Sequence, residues 1–426
     1  MKKIHRRSLL AASAFAALAP RARAAEPVTL TVWSWLPNLQ VELDMCTAAN
    51  PGLKFQLTNA GQAGPEYAKL RTALKAGTGA PDIVQLELDM VRSFAQVRGL
   101  ADLAQLGMAD MSAQYVPYTW QEVTEGRRIN ALPWDSGPMG QIYREDIAKA
   151  HGFEPPRTWD EFADAAKALR KTSPDTYLTN ATFSDGGWVT GLLWQAGWRP
   201  FQVDGDHLTI RIKSDATQRF AAYWQKLIDA RAVDTSAGFT TDWYQSLARG
   251  RYAIWLTAAW GPVFLSQFAQ SSAGKWRAAL LPQWNAAAPS NGNYGGSALA
   301  ITATSQHKQE AATAIRWLLG QSAPARAFAS KQFLFPVLDS LLKDQSFLDT
   351  PYPFFGGQAA NQVFAKASSQ VGTDFQWSPF NDYFVAQIGN ECGAVASSGG
   401  SLEGAFDTLQ ARVVRFARQQ GFTVAT

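Results

Sequence analysis

The chain has 426 residues, too many for one ordinary hydrophobic core, so its length favours two domains. Its formal charge is +4, but six of its basic residues lie within residues 1–24, which contain no acidic residue. The remaining 33 basic and 35 acidic residues give a net charge of −2. This near neutrality gives no charge-based reason to expect a nucleic acid or an anionic membrane as a partner.

Residues 1–24 have the organisation of a signal peptide. A charged start is followed by an apolar run, 8–19, which is too short to cross a bilayer as a helix. Ala-Arg-Ala at 22–24 is a small-x-small cleavage site, which predicts a mature protein that begins at Ala25 and is soluble in a periplasm. Arg-Arg-Ser-Leu-Leu at 6–10 resembles a twin-arginine export signal, and a general secretory signal is an equal alternative.

Strands and helices then alternate along the first part of the mature chain. The predicted order is strand 28–33, helix 36–49, strand 53–57, helix 65–75 and a strand that starts at Asp82 and ends at 86–89. This alternation predicts a parallel sheet with helices on both faces, in which ligands bind beyond the carboxyl ends of the strands. Trp33, Gln62, Glu87 and Asp89 fall at those ends.

A Pro/Gly-rich segment, 132–140, follows and contains Trp134 and Asp135. We predict that it crosses to a second lobe, where a short strand at 141–143 enters a short helix at 145–150. Thr158 and Glu161 then have the spacing of a capping box at a helix start. One face of that helix is apolar at helical spacing and should be buried: Trp159, Phe162, Ala166 and Leu169.

The segment 132–162 resembles the bacterial extracellular solute-binding proteins of family 1, the sugar receptors of ABC importers. The similarity is carried by Ile-Tyr-Arg-Glu-Asp at 142–146 and Arg-Thr-Trp-Asp-Glu-Phe at 157–162. Arg144 stands in place of the family's commoner Asn, and His151 interrupts its Lys-Ala-Gly helix end. Further family motifs follow in order at 77–84, 99–103, 250–262 and 293–301, so the resemblance covers nearly the whole mature chain.

The later elements also follow the family's order. Predicted strands lie at 180–182 and 276–281, and predicted helices lie at 188–195, 214–230, 243–249 and 309–319. Residues 333–336 look like a third crossing between lobes, and a loop at Trp377 precedes helices that run to the end.

The resemblance implies an α/β protein with the type II two-lobe periplasmic-binding-protein fold. Each lobe would be a mostly parallel sheet with helices on both faces, and the ligand cleft would lie at the hinge. We assign 25–132 and about 290–335 to the N-terminal lobe, and 133–289 and about 336–426 to the C-terminal lobe. Cys46 and Cys392 could form a disulfide in an oxidising compartment, but two buried free thiols are the favoured interpretation.

By the same resemblance, loops of both lobes line the cleft. A pyranose has an apolar face, which an aromatic ring can cover, and hydroxyls, which carboxylates and amides can bind. The candidate stacking residues are Trp33, Trp35, Trp260 and Trp377. The candidate hydroxyl partners are Gln62, Glu87, Asp89 and Asp135, and Gly295, Gly296 and Ser297 would offer backbone and hydroxyl contacts. For each residue a structural role is the alternative: a core Trp, a solvated acid or a turn glycine.

The sequence therefore predicts a monomeric, non-enzymatic sugar receptor that uses no cofactor or metal and docks on an ABC permease. A secreted glycosidase is the first alternative, because facing carboxylates in an aromatic cleft would also serve hydrolysis. The three mature histidines lie outside any triad-like context, and no Gly-x-Ser-x-Gly, phosphate-binding or dinucleotide motif occurs. A receptor for metals, polyamines or phosphate esters is the second alternative, although the candidate loops are aromatic and acidic.

Overall fold

The computed structural model describes residues 26–426, so the predicted signal peptide lies outside the described residues. Among the described helices, we find none that combines the length and the hydropathy needed to span a membrane.

The strands in chain order are β1 (Val28–Trp33), β2 (Leu53–Thr58), β3 (Ile83–Glu87), β4 (Thr124–Glu125), β5 (Arg128–Ile129), β6 (Leu132–Pro133), β7 (Met139–Arg144), β8 (Tyr177–Thr179), β9 (Phe201–Asp204), β10 (His207–Ile210), β11 (Tyr252–Ala258), β12 (Trp276–Leu280), β13 (Ser297–Ile301) and β14 (Thr423–Ala425).

The helices are α1 (Gln40–Ala49), α2 (Gly64–Ala76), α3 (Leu88–Gln96), α4 (Pro117–Val123), α5 (Glu145–His151), α6 (Trp159–Thr172), α7 (Gly186–Gln195), α8 (Asp215–Asp229), α9 (Thr241–Arg249), α10 (Gly261–Phe268), α11 (Lys308–Gly320), α12 (Ser322–Ala327), α13 (Asp339–Leu342), α14 (Gln345–Leu348), α15 (Ala360–Ser368), α16 (Asn381–Ser398) and α17 (Leu402–Gln419).

The first sheet has five strands in the order β2-β1-β3-β13-β6. Its strands β1, β2 and β3 are parallel, as the strand–helix alternation predicts. Strand β13 comes from much later in the chain and runs antiparallel to β3 and β6. All five residues of β13 are buried, because core clusters lie on both faces of this sheet.

The second sheet has the order β12-β7-β11-β8 and differs from the mostly parallel sheet that was predicted. Strand β7 is antiparallel to both β11 and β12, and only β8 and β11 run parallel. The directions differ because β7 enters this sheet from the crossing at 132–138 and β12 leaves it to return towards β13, so the two strands point in opposite directions. The result is an α/β fold built on these two mixed sheets, with a small three-stranded sheet, β14-β10-β9, and a two-stranded ribbon, β4-β5, in addition.

Each sheet has its own hydrophobic core. Cys46 lies in the core of the first sheet and Cys392 in the core of the second, and both are buried free thiols, as favoured from the sequence. The second core is rich in tryptophan: Trp224 packs edge to face against Trp159 and Trp188, with ring centroids 5.7 and 5.5 Å apart. Some of the chain's 16 Trp residues thus serve core packing.

Local signals in the sequence agree with most of the observed helix and strand bounds. Thr158 and Glu161 form the predicted capping box, and the predicted apolar face of α6 is buried. Arg144 is buried, and its guanidinium donates to Asp146 and to the carbonyls of Leu247 and Ala248, which is a structural role.

Three sequence-based bounds were wrong. The helix predicted at 36–49 begins only at Gln40, because the chain makes a turn before it in which Asn38 has a φ angle of 62°. The strand predicted at 180–182 lies at Tyr177–Thr179, three residues earlier. The strand predicted to end at 86–89 stops at Glu87, because Leu88 and Asp89 already form the first turn of α3.

Candidate functional site

The candidate site begins at one edge of the first sheet, where three segments meet. Glu87 ends β3, and Ser297, which begins the neighbouring antiparallel strand β13, lies directly opposite it. Asp135 follows β6 on the other side of β13, and its Oδ1 accepts a hydrogen bond of 2.8 Å from the Ser297 backbone N–H. Antiparallel pairing of β13 therefore brings two predicted acids and Ser297 together.

The Ser297 hydroxyl is held by a short chain of hydrogen bonds across the sheet. Ser34 Oγ donates to Gln85 Oε1 at 2.6 Å, and Gln85 Nε2 donates to Ser297 Oγ at 3.2 Å. Both Ser34 and Gln85 are buried. Because Ser297 Oγ accepts this bond, its own proton is free to point towards another acceptor.

The two glycines before Ser297 are required by the local geometry. Gly295 and Gly296 have φ angles of 77° and 105°, a region that side chains other than glycine rarely adopt. A Cβ on Gly296 would lie 2.8 Å from the Asp135 carbonyl oxygen and 2.8 Å from Ser136 Cα. The glycines thus allow this turn to pack directly on the crossing segment that carries Asp135.

The same turn carries Tyr294, which connects the site to two loops that follow strands of the second sheet, the loop after β8 and the loop after β11. Its hydroxyl donates to Asp185, and Asp185 also caps α7 by accepting from the Trp188 backbone N–H at 3.1 Å. Trp260 Nε1 donates to the Tyr294 carbonyl oxygen at 2.7 Å, and the two rings meet at 5.0 Å between centroids. Trp260 is half-buried and so keeps an accessible part of its ring.

On the first-sheet side, Glu87 is held by Tyr67 of α2. The Tyr67 hydroxyl donates to Glu87 Oε2 at 3.1 Å and accepts from the Glu87 backbone N–H at 3.0 Å. Trp35 packs edge to face on Tyr67 with ring centroids 6.0 Å apart. Tyr67 therefore links Trp35 and Glu87, two of the residues that the sequence predicts for the site.

Two further acids meet the C-terminal segment of the chain. Asp89 Oδ2 accepts from Asn381 Nδ2 at 3.0 Å, and Glu122 Oε2 accepts from Trp377 Nε1 at 2.7 Å. The second carboxylate oxygen of each acid, Asp89 Oδ1 and Glu122 Oε1, is buried and has no hydrogen-bond partner among the described residues. A buried polar atom without a partner is costly, so these carboxyl groups are ready to bind a ligand hydroxyl, as acceptors when ionised and as donors when protonated.

We call these five carboxylates the acid cluster: Glu87, Asp89, Glu122, Asp135 and Asp185. Burial raises the pKa of Glu122 to about 8 and that of Asp135 to about 6, although hydrogen bonds from Ser297 oppose the second shift. Burial also raises the pKa of Glu87, as do the nearby charges of Asp135 and Asp185. The pKa of Asp89 is raised well above its usual value by burial and by Glu87 and Glu122.

The structure thus joins most, though not all, of the predicted site residues. Gln62 is exposed in the loop before α2 and takes part in no hydrogen bond that the described residues make. Trp33 ends β1, half-buried against the core around Tyr67. Trp377 is 6% exposed and packs against Trp194 and Phe375, so its predicted stacking role stays a prediction.

Several contributors to the site were missed from the sequence: Tyr67, Glu122, Asp185, Tyr294 and Asn381. Two of them had a usable signal. Tyr294 directly precedes the Gly-Gly turn, and Asp185 lies in a loop that joins β8 to α7. Tyr67 and Glu122 are on helices with ordinary patterns, and only the packing of those helices brings them to the acid cluster.

Other sites are less suited to a ligand. The described residues hold no group of three or more His, Cys, Asp and Glu side chains arranged to bind a metal ion. A separate concave surface of about 720 Å³ is lined by Asp102, Arg128 and Lys308 among others. There, Arg128 already donates to Asn130 and to the Leu100 carbonyl, so its charge is engaged by the protein itself.

Known proteins resemble this chain along most of its length. A family model described as bacterial extracellular solute-binding protein matches residues 39–323. A lactose-binding protein from Rhizobium radiobacter is 28% identical over 361 residues, which cover 80% of this chain and 82% of that protein.

Solved structures agree with this match. The ABC transporter associated binding protein from B. animalis subsp. lactis Bl-04, in complex with beta-1,6-galactobiose, is 30% identical with a TM-score of 0.82, covering 94% of this chain and 100% of that one. The galacto-N-biose-/lacto-N-biose I-binding protein from Bifidobacterium longum, in complex with lacto-N-biose, is 25% identical with the same TM-score, covering 94% and 99%.

These similarities confirm the family and the two-lobe α/β fold that were predicted from the sequence. The family match spans more than half of the chain and includes four of the five strands of the first sheet, the crossing that carries Asp135 and the Gly-Gly turn. The chain belongs to the bacterial extracellular solute-binding proteins.

Proposed function

We propose that this chain is the sugar receptor of an ABC importer, which binds a mono- or oligosaccharide between its lobes and delivers it unchanged to a membrane permease. The observation that carries the proposal is the acid cluster, which lies beside Trp260 and Tyr294 where the chain passes between the two sheets. Acceptors and ring faces side by side match the hydroxyls and the apolar face of a pyranose.

We propose the lobe boundaries stated above, because they place each sheet with most of its own core. The exception is a short segment after 336, which packs in the core of the first sheet through Val337, Leu338, Leu341 and Phe347. The N-terminal lobe would hold the first sheet, including β13, and the C-terminal lobe would hold the second sheet and the C-terminal helices. In this division Glu87 and Asp89 come from the N-terminal lobe, and Asp185 and Trp260 come from the C-terminal lobe. The two sides of the site could then move apart and together.

Closure would follow from binding to both sides. A sugar that contacts one lobe gains further contacts when the other lobe swings over it, so it favours the closed state. Shifting a closed population from 1:99 to 99:1 takes about 5.5 kcal/mol of differential binding. Hydrogen bonds to the unpartnered oxygens of Asp89 and Glu122, together with stacking on Trp260, are of the right kind to supply it.

The direct test is a thermal-shift and calorimetry panel on the mature chain with lactose, β-1,6-galactobiose, lacto-N-biose and maltose. A bound sugar should raise the melting temperature, since about 2.7 kcal/mol is gained at a free concentration of 100 times Kd. Small-angle scattering should show a smaller radius of gyration with the sugar that binds. Absence of binding to every saccharide tested would refute the proposal.

The panel also separates a receptor from a glycosidase. We expect the sugar to be recovered intact and in stoichiometric amount, whereas cleaved products would favour the enzyme.

We further propose that the protein is a monomer that is exported to the periplasm and loses its signal peptide. N-terminal sequencing of the secreted protein should then begin at Ala25, and light scattering should give the mass of one chain.

A further inference from the structure

A row of aromatic side chains leads away from Trp260 over the surface of the second lobe. We call Phe239, Trp260, Phe264 and Phe268 the aromatic strip. Trp260, Phe264 and Phe268 are spaced four residues apart, so they lie on one face of α10 and its N-terminus. Ring centroids are 5.4 Å apart between Trp260 and Phe264 and 6.5 Å apart between Phe264 and Phe268.

Two residues of the strip are exposed to an extent unusual for phenylalanine. Phe239 is 39% exposed and Phe268 is 48% exposed, while Phe264 between them is half-buried. Beneath them lie the buried rings of Tyr244 and Trp243, which form a floor: Phe268 is 4.7 Å from Tyr244, and Phe239 is 5.3 Å from Trp243. Half-buried Phe264 joins the two exposed rings, with ring centroids 6.4 Å from Phe239 and 6.5 Å from Phe268, into an apolar patch of the kind that binds ligands.

The backbone at Phe239 provides a second observation. Its φ angle is +61°, in the left-handed region, which is a genuine outlier for a bulky residue. The ring it presents contacts Trp260, Phe264 and Tyr244 at centroid distances of 6.1 to 6.4 Å. A bulky residue in this region is costly, and at Phe239 the conformation holds the ring against the strip.

The chemistry of the strip fits an uncharged ligand. Helix α10 reads Gly-Pro-Val-Phe-Leu-Ser-Gln-Phe and contains no charged residue. Its exposed polar side chain, Gln267, can both donate and accept hydrogen bonds beside the rings. Rings flanked by an amide are suited to sugar rings with hydroxyls, whereas a strip that docked on a polar protein surface would be expected to carry charges at its rim.

We propose that the aromatic strip is an extension of the sugar site, so that the receptor takes oligosaccharides longer than a disaccharide, with the added units stacking from Trp260 towards Phe268. This inference rests on the proposed function and adds to it the length of the sugar, which is three or more units. The strip is continuous with the site, since Trp260 belongs to both and its Nε1 binds the Tyr294 carbonyl oxygen. The ligand would leave the acid cluster over Trp260 and continue along α10.

The test is calorimetric titration of the mature chain with two series of increasing length: β-1,6-linked galactobiose, galactotriose and galactotetraose, and maltose to maltotetraose. In whichever series binds, the longer members should bind about tenfold more tightly than the disaccharide, since one stacked ring contributes on that order. Phe268→Ala and Phe268→Leu should abolish this gain and leave the Kd of the disaccharide within twofold. The leucine variant keeps apolar volume but removes the ring face.

Phe333 provides a matched control. It is 38% exposed with a φ angle of +57°, nearly the values of Phe239, but its aromatic neighbour is Tyr352 rather than a strip residue. Phe333→Ala should therefore keep the gain with length, and Phe239→Ala should lose it. Circular dichroism and the melting temperature of each variant establish that it is folded.

The outcomes separate the two proposals. Binding of a disaccharide without any gain from longer members, or a gain that survives in the Phe239 and Phe268 variants, would overturn the extension and leave the receptor proposal intact. Unchanged affinities with loss of uptake in cells carrying Phe268→Ala would instead assign the strip to docking on the permease. Failure of every saccharide to bind would overturn both proposals.

Discussion

At the scale of single residues, Glu122 is a clear source of pH dependence, as is Glu66 of α2, whose pKa burial also raises to about 8. Glu122 is 6% exposed, one carboxylate oxygen accepts from Trp377, and burial raises its pKa to about 8 from the ordinary value of 4.5. An acid with a raised pKa holds its proton more tightly in the folded protein. The folded state therefore loses stability as pH rises from 4.5 towards 8.

We predict that the unliganded protein melts at a lower temperature at pH 8 than at pH 5, and that Glu122→Gln reduces this difference. The amide oxygen can still accept from Trp377 Nε1, while the charge is removed, so the variant should be more stable at pH 8 by about 1–3 kcal/mol. Differential scanning calorimetry across this range measures it. Glu403→Gln, at an exposed position, is the control and should leave the pH profile unchanged.

Sequence reasoning located some of these residues but not their partners. Asp135 and Ser297 could be named because each lies in a motif, one in a Pro/Gly-rich crossing and one after two glycines. Glu122 and Tyr67 could not be named, because the local sequence around an acid or a tyrosine on a helix does not show which residues it will contact in the fold. Their roles depend on how α2 and α4 pack against the end of β3, which is tertiary information.

At the scale of elements, the Gly-Gly turn before β13 fixes the site. Gly296→Ala would place a Cβ 2.8 Å from the Asp135 carbonyl oxygen at a φ angle of 105°. We expect a loss of about 1–3 kcal/mol in unfolding free energy, the cost of such backbone strain, and weaker sugar binding because Ser297 and Asp135 are displaced.

Chemical denaturation and calorimetric titration together measure the effect of Gly296→Ala. Gly52→Ala is a fair comparison, since a Cβ at Gly52 meets no atom within 4 Å. Gly52→Ala should change neither the unfolding free energy nor the sugar affinity. Equal losses in the Gly52 and Gly296 variants would contradict a special role for the Gly-Gly turn.

The elements themselves were largely predictable, because strand, helix and cap signals are local. Helix α8 runs from its cap at Ser214 to Asp229, close to the predicted 214–230. The direction of the strands in the second sheet was not predictable from the same signals. The direction in which two strands pair depends on where the chain enters and leaves the sheet. Strands β7 and β12 are neighbours in the sheet but lie far apart in the sequence, so local signals carry no information about their relative direction.

At the scale of the whole molecule, the segment 377–382 holds the acid cluster from the side of the C-terminal helices. Asn381 donates through its side chain to Asp89 and through its backbone N–H to Ser93 Oγ at 3.0 Å. Asp382 forms an ion pair with Arg71 of α2 at 3.1 Å. These contacts join the two proposed lobes and would have to break for the lobes to separate.

We predict that Asn381→Asp favours an open molecule at neutral pH, because it removes the amide donor to Asp89 and adds a further acid at a fully buried position. The lost hydrogen bond and the buried acid should together cost the closed form about 1–3 kcal/mol. Small-angle scattering of the unliganded variant should give a larger radius of gyration than the parent. Asp382→Asn removes only an exposed ion pair, which contributes little, and should leave the radius unchanged.

The two buried thiols offer a way to follow the halves of the molecule separately. Burial raises the pKa of Cys46 to about 11 and that of Cys392 to about 12, so neither reacts readily while its surroundings remain packed. A maleimide reagent therefore labels a thiol only after the core around it has opened. If the halves unfold independently in urea, peptide mapping should find Cys46 and Cys392 labelled at different concentrations, and simultaneous labelling would show that they melt as one cooperative unit.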